Sequence, residues 1–435
     1  MHTTEQHLLR IGLIGFGCVG QGFYNVIQQQ PELGLVVTHI AVKHPAKART
    51  LAPERFSYHA EALVNDPTLD LLVEVIDDPA EAFRLVSAAL RQGRRVVTAN
   101  KAMLARHLPE LVRLQQEFGG TLLYEAAVCG SIPIVRTLDS YFSHEPLHAV
   151  LGIFNGSSNY VLTRMSEAGT DYGPALAEAQ ARGFAETDPA LDMGAFDPRS
   201  KAVILAAHAY GVFLNPEEVI NLGIEHIGAA DIAHAAAQGQ KIKVVAGLYR
   251  LPNGRVTALV LPQLLGPESP LFAVDHEFNG VLIEAQYAGP QFLRGRGAGG
   301  HPTGSAVLAD VLALRRGFRY GYAKRASAPG FQAAAGLEGA FYLRHAHEPQ
   351  LRAALALLRV TEEALETDDA GVFARRRVPL ARLLAARDAL RAAGVFVAQV
   401  GPVGLITGSS DLDAQYPADD AALVNQAHGH PAVAL

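Results

Sequence analysis

The chain has 435 residues, 49% of them hydrophobic, and carries 37 basic against 43 acidic residues, a net charge of −6. The length predicts two or three domains of ~100–200 residues each. Because phosphate contacts need a basic surface, the acidic balance argues against a nucleic-acid-binding protein. No apolar run approaches the ~20 residues of a membrane helix, and the first residues lack the pattern of a signal peptide. With only two cysteines, Cys18 and Cys129, no disulfide framework is expected, and a cytoplasmic location is predicted.

Short apolar runs alternate with helical segments over the first part of the chain. The predicted strands are residues 9–14, 35–42, 70–76, 94–100 and 121–127. Helical segments follow the first, third and fourth of them. Fully apolar strands that alternate with helices are typical of a parallel sheet covered on both faces. We therefore predict an α/β fold in which residues 1–140 form a Rossmann-like, doubly wound domain.

The pattern changes at about residue 141, where we predict a second, mixed α+β domain over residues 141–300. Its predicted strands and loops are strands 147–154, 241–249, 256–264 and 281–287 and loops 155–159 and 184–197. A further helix is predicted at about 302–316. Residues 325–435 are rich in Ala, Leu and Arg with helical patterning, and form a C-terminal region of unknown role.

A glycine motif, GxGxxG, lies directly after the first strand and at the start of a helix. The first glycine permits a tight turn, the second lets the backbone approach a pyrophosphate, and the third allows close helix–strand packing. The alternative is a plain glycine-rich turn. In this position the motif favours a dinucleotide site, formed by Gly15, Phe16, Gly17, Cys18, Val19 and Gly20.

The end of the second strand bears on the choice of cofactor. An NAD site usually has an acid there that binds the ribose 2′-hydroxyl. This chain has basic residues instead, namely Lys43, His44, Lys47 and Arg49. A cationic cluster suits a 2′-phosphate, so NADP is favoured over NAD. The alternative interpretation is a solvated basic loop.

An acidic segment precedes the helix that starts near residue 197. Asp197-Pro198 has the pattern of an N-cap followed by proline at the first helical position, and Lys201 lies four residues after Asp197, on the same helix face. An ammonium held beside a carboxylate can polarise a carbonyl and donate a proton to it. The alternative is a capped helix with a surface ion pair. Glu186 and Asp188 are candidate ligands of a substrate ammonium, or else solvated loop acids.

Two further positions follow strands of the first domain. Lys101 comes directly after the fourth strand, at the sheet edge where such folds bind ligands, although an exposed lysine at a helix start is the alternative. Glu125 lies in a turn-rich loop after the fifth strand, where carboxylate and carbonyl oxygens could hold a hard monovalent cation. Cys129 in this loop is interpreted as a small apolar residue. No histidine pattern predicts a transition-metal site.

Six separated segments occur in one order: GFGCVG (15–20), VVTANKAML (96–104), YEAAVCGSIPI (124–134), GIFNGSSNY (152–160), GFAETDPALDMGAFDPRSK (183–201) and GRGAGGHPTGSAVLAD (295–310). Together they resemble the homoserine dehydrogenase family over about residues 8–320. The resemblance implies a reversible, NAD(P)-dependent reduction of L-aspartate 4-semialdehyde to L-homoserine, in threonine and methionine biosynthesis.

The resemblance also implies roles for individual residues. Lys201 matches a proton-donating lysine, and Asp197 matches the acid that acts beside it. Glu186 matches the acid that binds the substrate amino group, and Asp188 stays a second candidate for this role. Lys101 matches a lysine near the nicotinamide and the substrate.

Further implied sites concern the cofactor and a cation. Gly297 to Gly300 match a segment that returns to the cofactor, and the helix at about 301–318 would complete the first domain. The full expected cofactor set is Gly15, Phe16, Gly17, Cys18, Val19, Gly20, Lys43, Arg49, Thr98, Lys101, Gly297 and Gly300. Sodium is expected at Glu125 and at the backbone carbonyls of Val128, Gly130 and Ile132.

The expected partners are a small-molecule substrate and further copies of the chain. Family members are usually homodimers or tetramers joined through the second domain's sheet, which makes residues 141–300 the expected catalytic and dimerisation domain. No nucleic acid and no membrane are expected. Two alternatives stay open: an enzyme of the same fold that reduces another small amino-acid aldehyde, and a non-catalytic NADP-binding sensor. The presence of both Lys201 and Asp197 argues against the sensor.

The sequence departs from the family pattern at three places. The family commonly has a glycine two residues before the catalytic acid, where this chain has Met193-Gly194-Ala195-Phe196. It often has a glycine pair after the third strand, where this chain has Asp77-Asp78, whose charge is expected to repel a phosphate. The C-terminal region has a βα…β pattern that resembles a degenerate ACT domain, without the usual acid-Pro-Gly opening, so feedback control is not inferred.

Overall fold

The computed structural model describes residues 8–45, 47–360, 364–368, 371–401 and 403–406. The interpretation of the first seven residues, and the helical pattern predicted for residues 407–435, lie outside the described residues. The described chain divides into two compact units at Ala333 and Ala334.

The first unit begins with the predicted parallel sheet. Its six strands lie in the order β3-β2-β1-β4-β5-β6, and every neighbouring pair is parallel. The strands are β1 (Leu9–Ile14), β2 (Leu35–Ala41), β3 (Phe56–Ser57), β4 (Leu71–Glu74), β5 (Arg95–Thr98) and β6 (Thr121–Leu123). This is the strand order of doubly wound dinucleotide-binding domains. The Rossmann-like prediction is confirmed, and the fully apolar strands are buried, as Ile11, Leu13 and Val73 illustrate.

Helices cover this sheet: α1 (Cys18–Gln28), α2 (Ala60–Asn65), α3 (Pro79–Arg91) and α4 (Lys101–Phe118). A fifth, α11 (Gly300–Arg315), comes from far along the chain and packs against α1. A Cβ on Gly22 would lie 2.0 Å from the Gly300 carbonyl oxygen, and one on Gly304 would lie 2.4 Å from Phe23 N. Only glycines allow two helix backbones to approach this closely.

The second sheet of this unit is mixed, as predicted. Strands β12-β11-β7-β9-β10 run antiparallel, and β8 pairs parallel with β10. The strands are β7 (Leu147–Ile153), β8 (Ile220–Asn221), β9 (Lys241–Arg250), β10 (Val256–Leu265), β11 (Phe278–Ala285) and β12 (Gly289–Arg296). The edge strand β12 was not predicted, because its glycines and arginines gave it no apolar pattern.

The helices of this part are α5 (Ile134–Arg136), α6 (Gly156–Ala168), α7 (Tyr172–Ala181), α8 (Ala190–Met193), α9 (Phe196–Ala209) and α10 (Ala229–Ala237). Three local predictions were wrong. Most of the predicted loop 155–159 is the first turn of α6, with Asn155 as its N-cap. The acidic loop contains α8. Asp197 is not the N-cap of α9, because the helix begins at Phe196 and Ala195 is the cap. The Asp197 carboxylate therefore does not cap the helix and can contact residues of other elements.

A buried hydrogen-bond chain fixes the far end of α9. His208 contacts Asp139 Oδ1 through Nδ1 at 3.0 Å and Tyr124 OH through Nε2 at 2.8 Å, and Tyr124 OH lies 2.7 Å from Tyr322 OH. Asp139 also accepts the backbone N–H of Tyr322. Because buried polar networks are costly unless satisfied, this one links α9 specifically to the end of β6.

The second unit has the order βαββαββ, in which the last strand has only two residues. Its elements are β13 (Leu337–His345), α12 (Glu348–Leu358), β14 (Glu366–Asp368), β15 (Gly371–Pro379), α13 (Leu380–Ala392), β16 (Phe396–Gln399) and β17 (Gly404–Leu405). The antiparallel order is β16-β13-β15-β14, with β17 beside β13. The sequence indicated only part of this pattern, since charged residues obscure β14 and β15. Arg344 holds Asp368 of β14 by two bonds of 2.8 Å.

Candidate active site

One buried carboxylate, that of Asp197, lies between two lysines. Asp197 Oδ1 is 2.7 Å from Lys101 Nζ, and Asp197 Oδ2 is 2.8 Å from Lys201 Nζ. Lys101 is the first residue of α4, at the carboxyl end of β5, whereas the other two lie on α9. The site therefore forms where α4 of the first sheet's layer meets α9, and it unites three of the predicted residues.

Lys201 has a sheltered head group. Its side chain is only 8% exposed, and Nζ donates a second bond to the Phe154 carbonyl at 2.6 Å. An ammonium has three N–H donors, so these bonds leave one for a ligand. The alternative of a surface ion pair is wrong, because both Lys201 and Asp197 are buried. Lys101, in contrast, has a side chain that is 44% exposed.

Asn155 is a site residue that the sequence analysis did not select. Its Nδ2 donates to Asp197 Oδ2 at 2.9 Å and to Asp192 Oδ1 at 2.7 Å. Its Oδ1 accepts Ser158 N and thereby caps α6. An Asn directly before a helical segment is a recognisable capping signal, but only the folded chain brings its amide to Asp197.

The charges of the site are strongly coupled. Burial by itself would raise the pKa of Asp197, but the charges of Lys101 and Lys201 and the Asn155 amide bring it well below its ordinary value. The charge of Asp197 in turn raises the pKa of Lys101. Burial and the nearby Asp197 raise the pKa of Asp192. Asp197 is therefore an anion that keeps positive charge beside it.

The predicted ammonium ligands, Glu186 and Asp188, lie on the exposed loop before α8. The charge of Glu186 contributes to the raised pKa of Lys101, after the larger effect of Asp197. Asp188 Oδ1 accepts the backbone N–H of Ala190 at 3.1 Å, at the start of α8. The Asp188 carboxylate is therefore used within its own loop, whereas Glu186 acts on Lys101 through its charge.

The glycine loop has the geometry of a cofactor turn. Gly15 has φ +103°, and a Cβ there would lie 2.8 Å from the Val75 carbonyl carbon and oxygen. A Cβ on Gly20 would lie 2.4 Å from Gly15 O, whereas Gly17 faces open space. Gly17 is also the N-cap of α1. The turn therefore needs glycine at Gly15 and Gly20, and Gly17 leaves the helix N-terminus open to an anion.

A second buried carboxyl, Glu74, lies at the end of β4 and was not predicted as a site residue. Its Oε2 accepts the Thr98 hydroxyl and its Oε1 accepts Ile76 N at 2.8 Å. Thr98 Oγ1 accepts Asn100 N, one residue before Lys101. Burial raises the pKa of Glu74 to about 7. The predicted cofactor residue Thr98 is thus turned toward Glu74, where it joins the ends of β4 and β5.

The basic loop after β2 is exposed, and two of its members have protein partners. Lys43 is 77% exposed and lies 3.9 Å from Asp78 Oδ2. Arg49 donates to the carbonyls of its own loop, at His44 and Lys47. Asp78 Oδ1 accepts two backbone N–H groups at the start of α3. The expected repulsion of a phosphate by Asp78 is therefore reduced, because that carboxylate already faces positive partners.

The loop after β6 contains Glu125, buried among its own donors. Its carboxylate oxygens accept Val135 N and Arg136 N, each at 2.8 Å. Arg136 also holds Asp310 at 2.8 Å. Burial raises the pKa of Glu125 to about 7 and that of Asp310 to about 8, with the charge of Glu125 adding to the latter shift.

The same loop continues through two left-handed residues, Cys129 (φ 55°) and Gly130 (φ 52°). Cys129 is buried, and burial raises the pKa of its thiol to about 12, as expected for a thiol that packs as a small apolar side chain. A Cβ on Gly130 would lie 2.7 Å from Gly297 O, and one on Gly300 would lie 2.8 Å from Cys18 O. The segment Gly297–Gly300 therefore runs from this loop to the glycine loop.

In the part of the chain that the structure describes, no group of three or more His, Cys, Asp and Glu side chains is placed to hold a metal ion. No helix there is both long enough and apolar enough to cross a membrane.

The Rossmann sheet, the glycine turn and the lysine–aspartate cluster together define an NAD(P)-dependent oxidoreductase. The family descriptions "Homoserine dehydrogenase, NAD binding domain" and "Homoserine dehydrogenase" match residues 15–125 and 133–312. The homoserine dehydrogenase of Corynebacterium glutamicum is 39% identical over 321 residues, 70% of this chain and 72% of that protein. That of Bacillus subtilis is 34% identical over 72% of this chain and 74% of that protein. The chain belongs to the homoserine dehydrogenase family.

Solved structures agree with this assignment. A homoserine dehydrogenase from Thiobacillus denitrificans superposes with a TM-score of 0.77 at 28% identity, over 90% of this chain and 98% of that one. A hyperthermophilic archaeal homoserine dehydrogenase in complex with NADPH gives a TM-score of 0.62 at 27% identity, over 72% of this chain and 99% of that one. Family membership implies a role in amino-acid biosynthesis.

Proposed function

We propose that the chain interconverts L-aspartate 4-semialdehyde and L-homoserine at the cluster formed by Lys101, Asp197 and Lys201. The observation that carries this proposal is the Asp197 carboxylate shared by two ammonium groups, one sheltered and one half-exposed. The bound nicotinamide supplies or accepts the hydride. The protein's task is to hold the substrate oxygen beside a proton donor and to stabilise the charge that develops on it.

Lys201 is the proposed proton donor in the direction of aldehyde reduction. Two of its N–H groups are bound to Asp197 and the Phe154 carbonyl, and the third donates to the carbonyl oxygen and transfers its proton as the alkoxide forms. In the reverse direction the neutral amine takes the proton of the alcohol. Asp197 orients the amine and offsets its positive charge in both directions, and Asn155 holds Asp197 in place.

Substrate orientation is assigned to the exposed groups around this pair. Glu186 is proposed to bind the substrate ammonium, and Asp188 on the same loop is the second candidate for this role. Lys101 is proposed to bind an oxygen of the substrate near the nicotinamide. The experiment is the homoserine-dependent reduction of NADP⁺ and of NAD⁺, followed by nicotinamide absorbance. Activity with homoserine is expected; reduction only with a different amino-acid alcohol would favour the alternative reductase.

For the cofactor we propose a preference for NADP over NAD, bound by the glycine loop, the basic loop and the segment Gly297–Gly300. The support is the exposed Lys43 and the position of Arg49 on the same loop. Arg49→Ala is expected to lower kcat/KM about tenfold for NADP⁺, a loss of ~1.4 kcal/mol of transition-state stabilisation, and to leave the value for NAD⁺ unchanged. An equal loss with both cofactors would contradict a 2′-phosphate contact.

We also propose a monovalent cation, sodium, at the loop after β6. Within the described residues no donor hydrogen-bonds the carbonyls of Val128 or Gly130. Each Glu125 oxygen accepts one backbone N–H, and Oε2 also lies 3.7 Å from Arg136 Nε. The Ile132 carbonyl accepts Ile134 N and has one lone pair left. Oxygen ligands of this kind suit a hard cation. The cation would offset the buried charge of Glu125 and order the loop.

For assembly we propose a homodimer or homotetramer joined through the second sheet. The support is the edge strand β12, where Phe292 is 39% exposed, and the preceding Tyr287, which is 74% exposed; unpaired edges and exposed aromatic residues are features of interfaces. Light scattering of the purified chain tests it, and Phe292→Arg is expected to shift the mass toward the monomer. A cytoplasmic location stays a prediction from cysteine usage.

A further inference from the structure

Asn279 is a buried polar residue that the proposed mechanism does not use. It lies on β11, is completely buried, and neither its Oδ1 nor its Nδ2 has a hydrogen-bond partner among the described residues. A buried amide without partners destabilises a fold, because both of its polar atoms lost water on folding. A side chain of this kind is expected to serve a ligand.

The neighbours of Asn279 are the members of the loop after β6. A Cβ on Gly297 would lie 2.1 to 2.2 Å from the atoms of the Asn279 amide, so the amide packs flat against the Gly297 backbone. Gly297 O in turn lies against Gly130. The Asn279 amide also interacts with the Cys129 thiol, between Val128 and Gly130.

The strand register places Asn279 beside the same loop from a second direction. Asn279 pairs with Gly295 on β12, and a Cβ on Gly295 would lie 2.9 Å from Ile132 Cγ1. On the other side of β11, Gly280 pairs with Ile153, next to the Phe154 carbonyl that holds Lys201. At this position β11 therefore lies between β12, which packs against the loop after β6, and β7, which leads to Phe154.

We propose that Asn279 lines the cation site and offers Oδ1 as a further oxygen ligand, together with the carbonyls of Val128 and Gly130. This inference rests on the cation proposed above. Amide oxygens are suitable ligands for hard cations. The proposal explains why a polar side chain is kept at a position that gives its amide oxygen no hydrogen-bond partner among the described residues, and it links cation binding to the strand beside the active site.

The test is the thermal unfolding of the full chain, without substrate, in sodium chloride and in choline chloride at equal ionic strength. Asn279→Leu has a similar volume and no ligand oxygen. In choline chloride this variant is expected to be at least as stable as the parent chain, because the unsatisfied amide has been removed. In sodium chloride the parent chain gains stability, whereas the sodium concentration that gives half of this gain rises at least tenfold in the variant.

Asn279→Asp is the matched variant, since it keeps an oxygen and adds a negative charge, and its half-saturating sodium concentration is expected to fall below that of the parent chain. Sodium-23 NMR line broadening gives the same comparison without unfolding. A sodium gain that is equal in the parent chain and in both variants overturns the role of Asn279 while leaving the cation in place. A parent chain that responds equally to sodium and choline overturns both proposals.

Discussion

Asp197, at the lysine cluster, and Glu74, at the end of β4, are both buried carboxyl groups, but their surroundings shift their pKa values in opposite directions. Two ammonium groups and an amide surround Asp197 and bring its pKa well below the ordinary range. Glu74 has only neutral partners, the Thr98 hydroxyl and the Ile76 amide, and burial raises its pKa to about 7. Burial is common to both, so the charge of the partners decides the outcome.

The comparison separates two uses of an acid inside a protein. Asp197 stays ionised and holds the ammonium groups of Lys101 and Lys201 at its two carboxylate oxygens. Glu74 holds a proton more tightly than a free carboxyl and acts as a hydrogen-bonding link between the ends of β4 and β5. Removing the charge of Asp197 should therefore be costly, whereas removing the charge of Glu74 should cost little at neutral pH.

The largest effect is expected at the proton donor of the charged cluster. Lys201→Ala should lower kcat by ~10²–10⁴, the usual contribution of a positioned acid–base group, and leave NADPH affinity nearly unchanged, as measured by cofactor fluorescence. Lys241→Ala is a matched control, because Lys241 pairs with Asp275 outside the cluster and should keep its turnover. Wild-type turnover in the Lys201 variant would remove this residue from the mechanism.

The next effect concerns the carboxylate itself. Asp197→Asn leaves two ammonium groups without their counter-ion, so the free energy of unfolding should fall by about 3–5 kcal/mol in urea titrations at neutral pH. The matched contrast is Glu74→Gln, for which no loss of unfolding free energy is expected under the same conditions, because the variant removes a carboxyl whose ionisation is opposed by burial. Equal losses in the two variants would show that partner charge does not distinguish these sites.

A pH series sharpens the same contrast. Because the pKa of Glu74 is raised to about 7 from an ordinary 4.5, its stabilising contribution is full below 4.5 and declines as pH rises to 7, by about 3 kcal/mol. Asp197, with a lowered pKa, contributes above 3.8 and loses that contribution as pH falls below it. In Glu74→Gln the unfolding free energy should not decline between pH 4.5 and pH 7. A pH profile equal to that of the parent chain would contradict the raised pKa of Glu74.

The smallest effect is expected in the loop that enters the charged cluster. Ala195 has φ +59°, a conformation that costs most non-glycine residues ~1–2 kcal/mol, so Ala195→Gly should change the unfolding free energy by less than about 1 kcal/mol after loss of a buried methyl. At Gly194 a Cβ would meet the Ala190 carbonyl oxygen at 2.8 Å, so Gly194→Ala should destabilise more. A larger loss of unfolding free energy in Ala195→Gly than in Gly194→Ala would contradict this prediction.

This loop also settles one departure from the family pattern. Ala195 stands where the family pattern has glycine, two residues before Asp197, and it adopts a left-handed conformation. The neighbouring Gly194 is needed for space, since its Cβ would collide with the Phe196 ring and the Ala190 carbonyl. Ala195 therefore carries the left-handed conformation at the entry to α9, and the Asp197 carboxylate contacts Lys101 and Lys201.

Local patterns in the sequence determined the parallel sheet, the glycine turn and the four-residue spacing of Asp197 and Lys201, because apolar periodicity and glycine conformation act over a few residues. Only the tertiary structure decided that Lys101 and Asn155 meet Asp197, that Asp197 is no N-cap, and that Glu74 and Asn279 are buried without charged partners. Burial and the charge of distant neighbours set the pKa and the ligand capacity of a group. Both depend on which segments pack together, and sequence spacing does not record that packing.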